Sequence, residues 1–323
     1  MKNILVVGGA GYIGSHMVKM LGEQGFSVTT LDNLSSGREE SILFGDFYKG
    51  DMQDENLVCK ILQEKKIDLV MHFASNIEVA ESKINPQKYY LNNVVNTISL
   101  INSMLTCDVK NFIFSSTAAI FGIPKLKRID EEAPKHPINA YGSSKLMIEQ
   151  ILDDYDAAYL FRSICFRYFN AASADPDGNI GEMHDPETHL IPLMIRAYLK
   201  KEPFYIFGDD YPTIDGSCIR DFIHVNDICR AHLQGVEHLF KEKTSNKFNL
   251  GNEKGYSIKE VISSFENLVG EKIDLIQEQR RPGDPPILVA DSSKARNILN
   301  WSPIYSSINN ILKDALSFYE KRI

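Results

Sequence analysis

The 323-residue sequence predicts an α/β fold: a doubly wound parallel sheet followed by a smaller C-terminal α/β region. Short, fully apolar runs such as Asn3-Ile-Leu-Val-Val7 read as strands buried on both faces. These runs alternate with stretches of helical apolar spacing, as repeated strand–helix–strand units require. A glycine-rich turn joins the first strand to the first helical stretch.

That turn is Gly8-x-x-Gly11-x-x-Gly14, and residues 15–21 after it carry helix-like spacing. Without Cβ atoms the backbone can approach a pyrophosphate, helix and strand can pack closely, and the helix N-terminal amides face the phosphates. The spacing differs from G-x-G-x-x-G, so the turn gains its weight from the next strand. That second strand, residues 27–31, ends in Asp32-Asn33. An acid there is placed to bind the adenosine ribose hydroxyls, and it would repel a 2′-phosphate, which favours NAD over NADP. The alternative for Asp32 is a turn residue. Residues 46–50 read as a strand, 54–65 as a polar-faced helix, and 68–73 as a buried strand ending in the small residues Ala74-Ser75. His72 reads as a core histidine with satisfied hydrogen bonds. Residues 86–106 read as one long helix with Tyr90, Val94, Ile98 and Ile101 on its apolar face. The strand at 111–114 delivers Ser115-Ser116-Thr117 at its tip, and ligands of such sheets sit at the carboxyl ends of the strands.

After a proline-rich loop, Asn139-Ala-Tyr141 opens a helix to about residue 156. Tyr141 and Lys145 lie four residues apart, on one helical face. Such pairs arise by chance in many helices. A phenol ordinarily titrates near ~10, and a neighbouring ammonium favours the phenolate, making a base for a substrate hydroxyl. A strand at 162–167 leads into Tyr168-Phe169-Asn170. The character then changes: a polar loop at 175–182, a helix from His189, a strand at 204–207, and a loop and strand through 216–225. Ser257-x-x-Glu260 is a capping box for a helix to about Val269. A strand at 273–278 precedes the charged turn Arg280-Arg281-Pro-Gly-Asp284, Asp291 caps a short helix, and Ser306 or Ser307 opens the last. The expected division is a dinucleotide-binding domain at 1–170 and a second domain at 171–323, some of whose elements rejoin the first.

Composition narrows the partners. The net charge of −8 gives no reason to expect nucleic acid. No apolar run approaches the ~20 residues of a membrane span, and the first residues read as a strand rather than a signal peptide. The five cysteines form no Cys-x-x-Cys pair and no metal-ligand spacing, so they read as reduced residues of a cytoplasmic protein with no metal site.

Several stretches together resemble extended short-chain dehydrogenase/reductases, and within them the UDP-glucose 4-epimerases. They are Gly-Gly-Ala-Gly-Tyr-Ile-Gly-Ser-His at 8–16, Leu-Asp-Asn-Leu at 31–34, His-Phe-Ala at 72–74, Tyr-Tyr-x-Asn-Asn at 89–93 and Phe-Ile-Phe-Ser-Ser-Thr at 112–117, then Tyr-Gly-x-Ser-Lys at 141–145, Arg-Tyr-Phe-Asn at 167–170, Arg-Asp-Phe-Ile-His-Val at 220–225 and Arg-Arg-x-Gly-Asp at 280–284. The resemblance covers nearly the whole chain. It implies a Rossmann-type sheet, a smaller substrate-binding domain and bound NAD. It implies that Gly8, Gly11, Tyr12 and Ile13 hold the pyrophosphate, Asp32 and Asn33 the ribose, and Asp51 and Met52 the adenine side. Phe73, Ala74, Ser75, Asn92 and Phe169 would line the cofactor channel, which Tyr141 and Lys145 also reach. Thr117, Tyr141 and Lys145 would be catalytic, with Thr117, Asn170, Leu190, Arg220, Arg281, Asp284 and Leu288 meeting the UDP-sugar. Two positions depart from the family. Ile77 stands where a lysine often contacts phosphate, and Leu288 stands where Tyr or Cys often bounds the sugar pocket.

The implied activity is that of an isomerase: NAD-dependent C4 epimerisation of UDP-glucose and UDP-galactose through a 4-keto intermediate, serving galactose metabolism or surface-polysaccharide precursors. Leu288 leaves UDP-N-acetylglucosamine open. A 4,6-dehydratase is disfavoured because Ala118-Ala119 follow Thr117 where relatives carry Asp-Glu. Asp32 argues against an NADP-linked reductase. A non-catalytic NAD sensor would not need Tyr141, Lys145 and Thr117 together. Arg220 and Arg281 suit a diphosphate; the alternative is ion pairing with Asp221 and Asp284. A homodimer is expected, with helices 86–106 and 141–156, and Met147 and Ile151 on them, at its surface.

Overall fold

The computed structural model describes residues 2–281 and 283–322; Pro282, in the charged turn, lies outside the described residues. The chain runs β1 (Asn3–Val7), α1 (Tyr12–Glu23), β2 (Ser27–Asp32), β3 (Asp46–Lys49), α2 (Glu55–Glu64), β4 (Leu69–His72), α3 (Val79–Ile84) and α4 (Pro86–Tyr90). A π-helical turn (Leu91–Val95) leads to α5 (Asn96–Thr106), β5 (Asn111–Thr117), α6 (Ala140–Tyr159), β6 (Arg162–Tyr168), β7 (Asn170–Ala172), α7 (Leu190–Lys200) and β8 (Phe204–Phe207). Then come β9 (Ile219–His224), α8 (Val225–Glu242), β10 (Asn246–Leu250), β11 (Gly255–Ser257), α9 (Ile258–Val269), β12 (Leu275–Glu278), β13 (Ile287–Leu288), α10 (Ser293–Leu299) and α11 (Ile308–Glu320).

The chain forms two compact units that interleave in sequence: residues 1–121, 135–167 and 229–248 in the first, and 122–134, 168–228 and 249–323 in the second. The seven-stranded sheet runs β10-β6-β5-β4-β1-β2-β3, the Rossmann-type doubly wound order. Chain direction across the sheet reverses between β1 and β4, so the ends of those two strands flank the position where such sheets bind ligands. Ile4, Leu5, Leu69 and Val70 are fully buried, as strands covered on both faces must be.

The long helix expected at 86–106 is a correction. It is broken into α4, a π turn and α5, and its buried face is Tyr89, Asn93, Thr97, Leu100, Ile101 and Met104 rather than the stripe through Tyr90 and Val94. The extra residue of the π turn rotates the face. Polar anchors outweigh apolar spacing here. Asn93 Nδ2 donates to the Asn76 carbonyl at 3.0 Å and to Ser144 Oγ at 3.2 Å, while its Oδ1 accepts the Asn76 amide at 2.9 Å.

Thr97 Oγ1 donates to the Asn93 carbonyl and lies 3.0 Å from His72 Nε2, which places the imidazole proton on Nε2. His72 is thus a buried, neutral core histidine. Burial, helped by the Lys145 charge, lowers its pKa from 6.5 to about 3. Between those values the unfolded chain binds the extra proton and the folded chain does not, so stability falls as pH drops. Thermal melts from pH 7 to pH 4 should lose stability with a slope approaching about 1.4 kcal/mol per pH unit from this group. His72→Gln should flatten that slope, and an unchanged slope would refute the assignment.

In the second unit, β11-β9-β13 form a small sheet, with β7 parallel to β9, and β8 pairs with β12. Met194, Phe265, Ile311, Leu312 and Phe318 from α7, α9 and α11 build its core. The capping box is present: Glu260 N donates to Ser257 Oγ at 3.0 Å, and Ser257 N to Glu260 Oε2 at 2.7 Å. Ser307 caps α11. Ser292, not Asp291, is the N-cap of α10; Asp291 Oδ1 instead accepts the amide of Ser293, the helix's first residue.

Candidate active site

The glycine turn is shaped by close approach. Gly8 has φ +81°, and a Cβ there would sit 2.3 Å from the Ala74 amide nitrogen. A Cβ on Gly14 would sit 2.1 Å from the Gly8 carbonyl oxygen. This packs the start of α1 against the ends of β1 and β4. Gly11 is the N-cap of α1 with no side-chain capping bond, so no side chain closes that helix end. A turn without Cβ atoms under an uncapped helix N-terminus fits a dinucleotide pyrophosphate. Asp32, at the end of β2, accepts the Ala10 amide at 2.9 Å and the Leu34 amide at 2.8 Å. It is therefore both turn residue and anchored carboxylate. Asn33 donates to Asp51 at 2.8 Å, and Met52 beside it is buried. The Phe73 and Ala74 amides both bond the Val7 carbonyl. Ser75 and Ile77 follow in the loop before α3, and Asn92 donates to Asn93 Oδ1 at 2.9 Å.

Asn139 Oδ1 caps α6 through the Gly142 amide at 2.8 Å, so Tyr141 and Lys145 enter on its first turns. Lys145 is almost fully buried, and its Nζ donates to the Ser115 carbonyl at 2.7 Å, 4.8 Å from the Phe114 ring centre and 6.0 Å from that of Tyr141. Thr117 Oγ1 accepts the Ala119 amide at 3.1 Å and lies beside the Tyr141 phenol, where it favours the charged form. Thr117, Tyr141 and Lys145 are thus brought together. Burial, however, pushes the phenol above its ordinary value, opposed only by Thr117, and lowers the Lys145 ammonium to about 7. The sequence expectation is that the neighbouring ammonium lowers the phenol's pKa; in the protein burial outweighs that, because desolvation penalises both charged forms.

The second unit holds the other predicted residues. Asn170 opposes Phe222 across β7 and β9, and Leu288 opposes Arg220 across β13 and β9. Side chains two apart on a strand share a face, so Asn170, Arg220 and Leu288 project from one side of this sheet. Asn170 Oδ1 and Arg220 Nη2 are buried without a hydrogen-bond partner. Arg220 Nη1 donates to the Ile219 and Pro285 carbonyls, and Nη2 is 3.4 Å from Asp284. Asp221 is not its partner; that carboxylate accepts the amides of Asn252, Glu253 and Ala290. Arg281 is exposed and lies over Phe207 at 4.1 Å. Phe169 bonds the Leu250 carbonyl, and Leu190 begins α7, outside this sheet.

Two features are not legible from sequence. Asn93 and Ser144 tie the loop after β4 to α6; the only signal is polarity inside helical spacing. Glu182, His184, Glu187 and His189 bring ligand-type atoms within 4.8 Å of one another. Cysteine spacing alone could not find this group. Each member has a partner: Glu182 takes both imidazoles, and Glu187 Oε1 accepts the Thr188 and His189 amides.

Fold and site define a dinucleotide-dependent enzyme in which Tyr141, Lys145 and Thr117 are brought together. Residues 4–251 match the family model described as NAD dependent epimerase/dehydratase family, and the chain belongs to that family. It is 48% identical to the UDP-glucose 4-epimerase of Halalkalibacterium halodurans, over 98% of this chain and 96% of that one. The solved UDP-glucose 4-epimerase from Brucella ovis in complex with NAD superposes with a TM-score of 0.95 at 43% identity, covering 98% of each chain. The UDP-Glc/GlcNAc 4-epimerase from Campylobacter jejuni gives 0.87 at 41%, covering 99% and 100%.

Proposed function

We propose that this chain is an NAD-dependent isomerase that interconverts UDP-glucose and UDP-galactose by epimerisation at C4. The observation that carries the reading is buried Lys145, anchored to the Ser115 carbonyl 6.0 Å from the Tyr141 ring centre with Thr117 beside the phenol, in the same unit as the glycine turn and Asp32. Full-length similarity to UDP-glucose 4-epimerases supports it.

The first unit serves as the NAD domain. Gly8, Gly11, Tyr12 and Ile13 hold the pyrophosphate, Asp32 and Asn33 the adenosine ribose, and Asp51 and Met52 the adenine side. Phe73, Ala74, Ser75 and Asn92 of this unit line the remaining cofactor path. NAD⁺, when bound, would supply a reversible hydride acceptor. Tyr141 removes the proton from the sugar 4-hydroxyl, and Thr117 holds that hydroxyl in line. Lys145 holds the nicotinamide ribose and, when protonated, favours the phenolate. The cofactor would take the C4 hydride as Tyr141 takes the proton and would give it back to the opposite face, and Tyr141 would return the proton to the same oxygen. Presenting the opposite face requires a firm grip on UDP and a loose one on the hexose. The second unit provides the grip through Asn170, Leu190, Arg220, Arg281 and Asp284. The buried Asn170 Oδ1, which has no hydrogen-bond partner, supports this, since buried polar atoms ordinarily have partners. Leu288 bounds the sugar pocket, and its modest size, with the likeness to a UDP-Glc/GlcNAc epimerase, supports N-acetyl sugars as second substrates.

We expect the protein to purify with NAD and to convert UDP-galactose. A coupled assay with UDP-galactose and UDP-N-acetylgalactosamine in parallel tests both readings; conversion of neither overturns them. The enzyme acts as a homodimer in the cytoplasm: Leu91, Val95 and Met147 are exposed apolar side chains on the two helical segments expected at the dimer surface. All five cysteines are free, and no helix among the described residues is long and apolar enough to cross a membrane. Sedimentation at the single-chain mass would exclude the dimer.

A further inference from the structure

Three consecutive residues at the tip of β5 meet three successive steps of α6. Thr117 lies beside the Tyr141 phenol and favours its charged form. The Ser115 carbonyl takes Lys145 Nζ at 2.7 Å. The Ser116 hydroxyl donates to Glu149 Oε1 at 2.6 Å. Tyr141, Lys145 and Glu149 follow at four-residue intervals and so share one helical face. The first two contacts involve the groups that carry the proposed chemistry; the third is not used by it.

Glu149 is 1% exposed, and a carboxylate that deep requires compensation. Arg167 of β6 supplies it in bidentate form, with Nε to Oε1 at 3.0 Å and Nη2 to Oε2 at 2.6 Å. Arg167 is equally buried, its guanidinium 5.5 Å from the Phe121 ring centre. Buried pairs of this kind are poor stabilisers: replacing both partners with apolar groups is often neutral or favourable. What such a pair does supply is a fixed orientation. Glu149 spends one oxygen on Ser116 as well as Arg167, so it joins α6, β5 and β6 at one point.

We propose that Ser116, Glu149 and Arg167 are positioning residues for the epimerase reaction. Together they lock the register between the tip of β5 and α6, and so hold Thr117 and Tyr141 at proton-transfer distance. The proposal rests on the function inferred above. It gives the group a role distinct from stability: loosening the lock should slow the chemical step while leaving UDP binding and folding nearly intact. A misplacement of about 1 Å costs roughly 10²-fold in rate.

Ser116→Ala is the decisive variant, because it removes one hydroxyl and leaves the Arg167–Glu149 pair intact. Its kcat with UDP-galactose should fall about tenfold or more, with KM within about twofold and a melting temperature near that of the parent. Ser116→Thr, which keeps the hydroxyl, should restore most of the rate. Glu149→Gln should lose more; if it fails to fold, Ser116→Ala still decides. The pH profile of kcat is the readout a purely structural role would not move. A displaced Thr117 leaves burial to raise the phenol, so the acid limb should move to higher pH. The other titratable groups around the pair in this unit are Lys145, His72 on β4 and Glu149 itself. Tyr141→Phe is assayed alongside. If that variant keeps full activity, the function itself falls and this proposal with it. If Tyr141→Phe is inactive while Ser116→Ala keeps the parent kcat and pH profile, the positioning role alone is overturned.

Discussion

Tyr141→Phe should lower kcat with UDP-galactose by about 10²–10⁴-fold while the affinity for UDP, measured by calorimetry, stays within about twofold. The substitution removes one oxygen from the first turn of α6. That oxygen, beside Thr117, is the group proposed to accept and return the proton of the sugar hydroxyl. The UDP contacts proposed here come from the second unit, so binding and chemistry separate cleanly. Folding should not suffer. Burial already disfavours the charged form of this phenol, and the neighbouring Lys145 is anchored to the Ser115 carbonyl rather than to Tyr141. A variant that keeps more than about a tenth of the parent rate would remove Tyr141 as the base.

Gly8→Ala should abolish copurification of NAD and lower the melting temperature. Its added methyl would meet backbone atoms at 2.3, 2.7 and 2.8 Å in Ala74 and Phe73, none of which can rotate aside. The residue also sits at φ +81°, a conformation that costs an L-residue roughly 1–2 kcal/mol. Overpacking adds roughly 1–3 kcal/mol. Together these amount to a drop of about 5–15 °C for a domain of this size. Gly25→Ala is the control, because it shares the positive φ (+79°) but meets nothing within 4 Å. It should lose only part of that stability and keep its NAD. Equal NAD content in the two variants would refute the close-approach explanation of the glycine turn.

Part of the fold was legible because its signals are local. Apolar runs of four or five residues, a glycine turn and an acid at the second strand's end are all contiguous, and β1, β2, β4 and β5 lie where those signals place them. Elements with weaker or mixed signals escaped. The helix α8 and strand β10 were not read, although residues 229–248 belong to the first unit. The two-residue β13 and three-residue β7 are too short to show any period. The break within 86–106 was misread because buried Asn93 and Thr97 look like surface residues until their partners Asn76, Ser144 and His72 are known.

The sequence by itself determined the local frames of the candidate residues: the turn at Gly8, the carboxylate at Asp32, the one-face pair Tyr141 and Lys145, and the hydroxyl at Thr117. These follow from spacing along the chain, which helix and strand periodicity convert directly into shared faces. Only the tertiary structure decided how those groups are charged and held. Burial raises the Tyr141 phenol and lowers the Lys145 ammonium, the reverse of what their spacing alone suggests. Desolvation depends on every residue packed around a group, including ones far away in sequence. For the same reason the link from Arg167 through Glu149 to Ser116 could not be read beforehand: it joins residues 18 and 33 positions apart, and no local period connects them.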